Sequence, residues 1–419
     1  MTGTATNPRA RSRAHPRQYQ PGAHRTGNAA ALRRELEQLE LGTPDIKRVV
    51  RLVTRLNNAQ HAVKHKAVSF KTMRERENFY VAFFRDLRTE TRYRNIEPRT
   101  LRPCHIEAML DVWEARGLST GSIHVYLSYL RTWCQWTGRA PETVRDPAYY
   151  FGDDSPFAHR RQAAESDHSW VAAGLDHQAI LPAIAAICPY VAIQTEFSRH
   201  FAARPKEARC LRPHEAVIPV AEAIVEDIPP GCQASHCLRF DEGTKGGRVR
   251  DVPIVTPAQW ELVRRARSMV PPRAHLGRPG YSLQANTAHY YRVLSRLGIT
   301  RRQAGTSGHG LRHERATECY EAIAGVPPPV RGGVAPDRAT DLAARQGVAK
   351  LLGHNRPPVT NCYLGAPVVA TAGPSAAPPP PQLALPDVDY LLAESRKPGQ
   401  IGGRIGIDGV SHRPLESKS

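Results

Sequence analysis

At 419 residues the chain is long enough for two domains, each with its own core. It carries 58 Lys and Arg against 39 Asp and Glu, a net charge of +19 and a pI near 9.9, a balance that points to a polyanionic partner. The basic residues are spread along the chain and form no amphipathic anchor, which argues against a membrane partner.

The opening stretch "MTGTATNPRARSRAHPRQYQ" has no apolar core behind its charges and is not read as a secretory signal. Residues 1–34 hold seven Arg and no acid, so 1–42 are expected to form a basic, largely disordered arm. A helical bundle is predicted for 43–140. "TPDIKRVVRLVTRLNNA" offers Thr43 as N-cap, Pro44 in the first turn and Ile46, Val49, Val53 and Leu56 at helical spacing. A second helix should bury Phe70, Met73, Tyr80, Phe83, Phe84 and Leu87. "RPCHIEAMLDVWEARG" is a third, and "LSTGSIHVYLSYLRTWCQWTGR" a fourth, with Ile123, Leu127, Leu130 and Cys134 inside and its Trp and Tyr residues read as core. Polar, Gly- and Pro-containing text over 141–169 reads as a linker.

The second domain is expected over 170–366. It opens on the apolar run "AILPAIAAICPYVAI" (Ala179–Ile193), too short and Pro-broken to span a bilayer and read as a buried, kinked helix. Strand-like text follows in "EAVIPVAEAIVEDI", "SHCLRF" and "RVRDVPIV", with the glycines of "DEGTKGG" making a hairpin turn between the last two. Helical patterns return afterwards. Residues 367–419, rich in Pro, Gly and Ala, cannot bury a core and read as a flexible tail. Eight scattered cysteines without tandem CxxC pairs predict reduced thiols in a cytoplasm. "CQASHC" (Cys232–Cys237) lacks a second ligand pair, so no metal and no cofactor are expected.

Four patches of the second domain carry candidate chemistry: Arg204 with Glu207 in "ARPKEARCL"; Lys245 at the hairpin tip; His309 and Arg312 one helical turn apart in "HGLRH"; and "LLGHNRPPVTNCYLG", with His354 and, nine residues on, Tyr363. Singly, each reads as an ordinary surface charge, loop lysine or packing aromatic. Together they are what phosphoryl transfer needs. Two guanidiniums clamp non-bridging oxygens, a histidine donates a hydrogen bond or moves a proton, a tyrosine attacks, and a lysine protonates the departing 5′-oxygen.

These patches, in this order, resemble the tyrosine recombinases, or phage-type integrases: an R-x-x-E patch, a hairpin Lys, an H-x-x-R helix, then LGH with Tyr nine residues later. The hairpin text "GTKGGRVRDVPI" is most similar to integrases of integrative elements. The resemblance implies a mostly α fold with a small β-hairpin or sheet: an N-terminal helical, SAM-like core-binding domain and a C-terminal α+β catalytic domain. It implies a site made of Arg204, Lys245, His309, Arg312, His354 and Tyr363, a 3′-phosphotyrosyl intermediate and no energy cofactor. Double-stranded DNA attachment sites are the implied partner, clamped between the two domains, with a homotetramer on two DNA sites and accessory directionality or DNA-bending proteins as further partners. A bacterial cytoplasmic, nucleoid-associated location follows.

The chain departs from compact relatives in the 45-residue step from His309 to His354, where "AGVPPPVRGGVAPDRATD" (Ala324–Asp341) is read as a surface insertion. His313 is given a structural role, and Tyr290, Tyr291 and Tyr320 lack the LGH spacing. The competing readings are a non-catalytic DNA-binding protein, such as a repressor or architectural factor, on the same scaffold, and a type IB topoisomerase.

Overall fold

The computed structural model describes residues 26–40, 45–59, 67–160, 163–354 and 356–370. The basic arm up to residue 25, the expected caps Thr43 and Pro44, and the tail from residue 371 lie outside the described residues. The chain is mostly helical with one small sheet, and divides into two compact units, Met1–Arg161 and Gln162–Ser419.

The described helices of the first unit are α1 (Thr26–Gln38), α2 (Ile46–Asn57), α3 (Phe70–Glu90), α4 (Pro103–Ala115), α5 (Thr120–Trp136) and the short α6 (Pro147–Phe151). The first helix lies inside the expected arm. Leu32, Leu36 and Leu39 share one face of that stretch; Leu32 is buried, and Leu36 and Leu39 pack on the core. Arg99 ties it down by donating to Leu36 O and Leu39 O at 2.9 and 3.1 Å. Asp45 caps α2 by accepting from Arg48 N at 3.0 Å. Val49, Val53, Phe79, Tyr80, Phe83, Phe84, Leu87, Ile106, Met109, Trp113, Ile123, Leu127, Leu130 and Trp133 form one core. Trp133 satisfies its buried indole N–H on Pro98 O at 2.8 Å. Phe70 leaves the predicted stripe: as the first residue of α3 it points to solvent.

Residues 141–160 of the expected linker are folded. Arg131 on α5 donates to Val144 O at 3.0 Å and Arg145 O at 2.6 Å, and Val144, Phe151 and Phe157 pack on the first core. Residues 163–170 belong to the second unit, where Trp170 is fully buried and donates to Ser307 O at 2.8 Å. Isolated apolar anchors fix both ends of a polar stretch that composition alone reads as free.

In the second unit the apolar run divides into α7 (His177–Ile187) and α8 (Pro189–Phe201) at extended Cys188, since Pro189 cannot continue a helix. Of the two, α8 is buried along most of its length, while α7 buries His177 and Ile184, packs Ile180, Leu181, Ala185 and Ile187 on the core and exposes its other face. Then come α9 (Pro205–Cys210) and a three-stranded antiparallel sheet of β1 (Val217–Pro219), β2 (His236–Phe240) and β3 (Arg250–Pro253), in that order. Next are α10 (Pro257–Met269), α11 (Leu283–Arg296), α12 (Arg301–Ala304), α13 (Gly310–Ala324), α14 (Arg338–Leu352) and α15 (Asn361–Leu364). The Ala324–Asp341 stretch is not a bare surface insertion. Ala335 is buried and forms a parallel bridge with Val369, and Arg331 bonds Asp167. Residues 368–370, assigned by composition to the tail, are therefore paired. No described helix is long and apolar enough to cross a membrane.

Candidate active site

The site grows from the C-terminal ends of two helices. The last turns of α8 and α14 leave carbonyls without helical partners, and two buried guanidiniums take them. Arg250, on β3, donates to Phe201 O at 3.4 Å and Leu351 O at 2.7 Å. Arg312, on α13, donates to Ala202 O and to Leu352 O, the latter at 2.6 Å. Both arginines are essentially inaccessible, and positive charge at a helix C-terminus also answers the helix dipole.

This explains the "LLGH" text. Leu351 and Leu352 present their carbonyls to the two arginines. Gly353 then turns the chain at φ 64°, and a β-carbon there would stand 2.5 Å from Arg250 Cδ. His354 is thereby delivered to the site, with its Nε2 3.2 Å from Arg204 Nη2.

Glu207 organises the cations. Its side chain is fully buried on α9, just past Arg204, whose N–H it accepts at 2.8 Å. The Arg204 guanidinium contacts Oε1, Arg250 stands 2.9 Å from Oε2, and Arg312 3.8 Å from it. Burial opposes its ionisation, but Arg250, then Arg312 and Arg204, outweigh that and hold the carboxyl near 2. Burial lowers Arg312 to about 10, so it stays charged at neutral pH. Three guanidiniums around one carboxylate leave a net positive charge, suited to an anion.

Tyr363 is buried and sits in α15. Its hydroxyl is 3.3 Å from Arg312 Nε, which donates to it, and 3.4 Å from His309 Nε2. The rings of His313 and His354 lie 4.5 and 5.7 Å from the phenol ring. Burial first, and Arg312 next, depress His309 and His354 to about 3, leaving both imidazoles neutral at pH 7.

Five of the six sequence-predicted residues are therefore brought together: Arg204, His309, Arg312, His354 and Tyr363. Lys245 stands exposed at the tip of the β2–β3 hairpin, and no hydrogen bond joins it to the others among the described residues. Its charge is nonetheless felt by His354 and Cys362. Sequence reasoning missed Arg250; the available signal was the pair of charges, Arg250 and Asp251, at the start of a strand that is otherwise apolar in "RVRDVPIV". It also placed His313 in a structural role, and the structure puts that ring against the phenol.

Residues 53–142 match the family described as phage integrase, N-terminal. The match falls within the first unit. Among solved structures the chain is similar to a lambda integrase dimer bound to a COC′ core site, at 14% identity and a TM-score of 0.41 over 75% of this chain and 80% of that one. It is also similar to the Tn1549 transposon integrase in complex with circular intermediate DNA, at 14% identity and 0.41 over 83% and 99%, and with transposon right end DNA, at 13% and 0.40 over 82% and 97%. Among curated proteins nothing matches.

Proposed function

We propose that the protein is a site-specific DNA recombinase that cleaves and rejoins double-stranded DNA through Tyr363, integrating or excising a mobile element. Arg204 and Arg312 hold the non-bridging oxygens of the scissile phosphate, the charge that grows in the transition state. Arg312 Nε stabilises the phenolate as it forms, and His309 Nε2 takes the phenol proton. Burial first, and then the field of Arg312, makes that imidazole a weak base; a phosphodiester anion held between the guanidiniums offsets the field and raises its basicity. The Tyr363 oxygen bonds to phosphorus as the 5′-oxygen leaves. Lys245, on a glycine-flanked hairpin, supplies the proton that makes it a 5′-hydroxyl. Attack by a 5′-hydroxyl on the phosphotyrosyl bond reverses each transfer, so no energy cofactor is used.

The observation that carries this reading is the position of the Tyr363 hydroxyl between Arg312 and His309, with Arg204 and His354 alongside. The net charge of +19 agrees with a DNA partner.

The test uses a pool of nicked duplexes of randomised sequence, in which a short cleaved strand diffuses away and prevents rejoining. The wild-type protein is expected to form a denaturant-stable adduct mapping to Tyr363, and Tyr363→Phe none. Binding without any adduct would favour the non-catalytic DNA-binding reading, and an adduct on another residue would overturn the assignment of the nucleophile.

A further inference from the structure

The turn that carries Tyr363 is only four residues long, and a single helical turn has no stability of its own. Something outside it must fix where the phenol stands. Arg345, on α14 and buried, reaches that turn from below. Its Nη1 donates to Asn361 Oδ1 at 2.7 Å and to Gly365 O at 3.1 Å. One guanidinium thus grips the first side chain of the turn and the carbonyl just past its end.

The grip is itself oriented. Asp341, one turn earlier on α14, accepts from Arg345 Nε at 2.8 Å and from Tyr320 Oη at 2.7 Å, and all three side chains are buried. Flanking backbone bonds hold the same segment: Ala164 N donates to Asn361 O at 2.8 Å, Ala335 N to Val368 O at 3.0 Å, and Ala370 N to Ala335 O at 2.9 Å. Gly365, at φ 81°, lets Val330 pass so close that a β-carbon would stand 3.0 Å from its nitrogen. A buried ion pair is a poor source of net stability beside apolar packing, whereas a planar guanidinium held on Asp341 through Nε and on the turn through Nη1 is a good source of fixed geometry.

We propose that Arg345, oriented by Asp341 and Tyr320, is a positioning residue that clasps the Tyr363 turn and sets the phenol against Arg312 and His309. This rests on the reading of Tyr363 as nucleophile. Arg345 touches neither the phenol nor the phosphate site, so it acts on attack alone.

The experiment uses the full chain and the duplex captured from the randomised pool by the wild type. Arg345→Ala is expected to slow adduct formation by about 10- to 100-fold, the scale of an ångström-level misplacement, with duplex binding within twofold of wild type. Asn361→Ala, which leaves the Arg345–Asp341 pair intact, should show a smaller loss of the same kind at an unchanged melting temperature, and decides the matter if Arg345→Ala fails to fold. In a Tyr363→Phe background, hydrogen peroxide can serve as an untethered nucleophile, its oxygen bonding to phosphorus as the 5′-oxygen leaves with a proton. There, adding Arg345→Ala should change the cleavage rate less than twofold. An equal fall in the peroxide reaction would make Arg345 merely structural and overturn the clasp. So would a wild-type adduct on Tyr363 with both single variants unimpaired, which leaves the recombinase reading standing. A wild type that never links through Tyr363 overturns both.

Discussion

Glu207 and Arg250 meet at 2.9 Å with almost no solvent on either side chain. Neither was needed to write down a reaction, yet the pair fixes where the reacting groups stand. Glu207 is the one carboxylate shared by Arg204, Arg250 and Arg312, and Arg250 joins the ends of α8 and α14 beneath them.

Glu207→Gln removes the charge and leaves Arg250 and Arg312 buried without their counter-ion. A buried ion pair broken from one side costs about 3–5 kcal/mol, so thermal melting should show a large drop in stability, and adduct formation should fall with it.

Arg204 and Arg312 should separate in their effects on stability. The Arg204 side chain is partly exposed and Arg312 is fully buried against Ala202 O and Leu352 O. Arg204→Ala is expected to cost no more than about 1 kcal/mol, while Arg312→Ala costs about 3 kcal/mol or more by leaving the buried Leu352 O without its donor, Ala202 O with only the longer bond from Arg250, and Glu207 short of one buried counter-ion. Both should abolish adduct formation. Mobility-shift binding by Arg204→Ala should stay close to wild type, because the surrounding basic surface supplies most of the affinity.

Gly353→Ala forces a side chain into a left-handed backbone position and against Arg250 Cδ. A loss of about 1–3 kcal/mol is expected from the backbone alone, read as a lower melting temperature. Slower adduct formation should accompany it, because His354 and the Arg250 contact to Leu351 O move together.

Acid should unfold the second unit early. Burial, reinforced mainly by nearby arginines, holds His309 and His354 near 3 and His177 and His200 near 4; for His313, burial and then His168 hold it near 4. The unfolded chain, with ordinary imidazoles near 6.5, binds more protons over that window. Their contribution is complete above about pH 6.5 and is lost as pH falls toward 3, by up to about 1.4 kcal/mol per pH unit for each group. Melting temperatures measured between pH 7 and 4 should decline steadily, and His354→Asn should show a shallower decline.

The order of Arg204, Lys245, His309, Arg312, His354 and Tyr363 along the chain was legible because each sits in a short local pattern: a capped helix start, a glycine hairpin, an H-x-x-R turn and a helix end followed by glycine. The core of α2 to α5 was legible for the same reason, since helical spacing is a property of neighbours in sequence. Helix α1, the folded stretch over 141–160 and the pairing of Ala335 with Val369 were not, because each depends on a few apolar or backbone anchors whose partners lie far along the chain.

By itself, then, the sequence determined the chemical inventory: a basic chain, two helical-rich units, and side chains of the right kinds at local spacings. Only the tertiary structure decided that one buried carboxylate would gather three guanidiniums, that Arg250 would lie beneath the site, and that a single turn would hold Tyr363 against Arg312. Convergence of this sort is set by long-range burial, where an unpaired charge or carbonyl is costly enough to select its partner from anywhere in the chain.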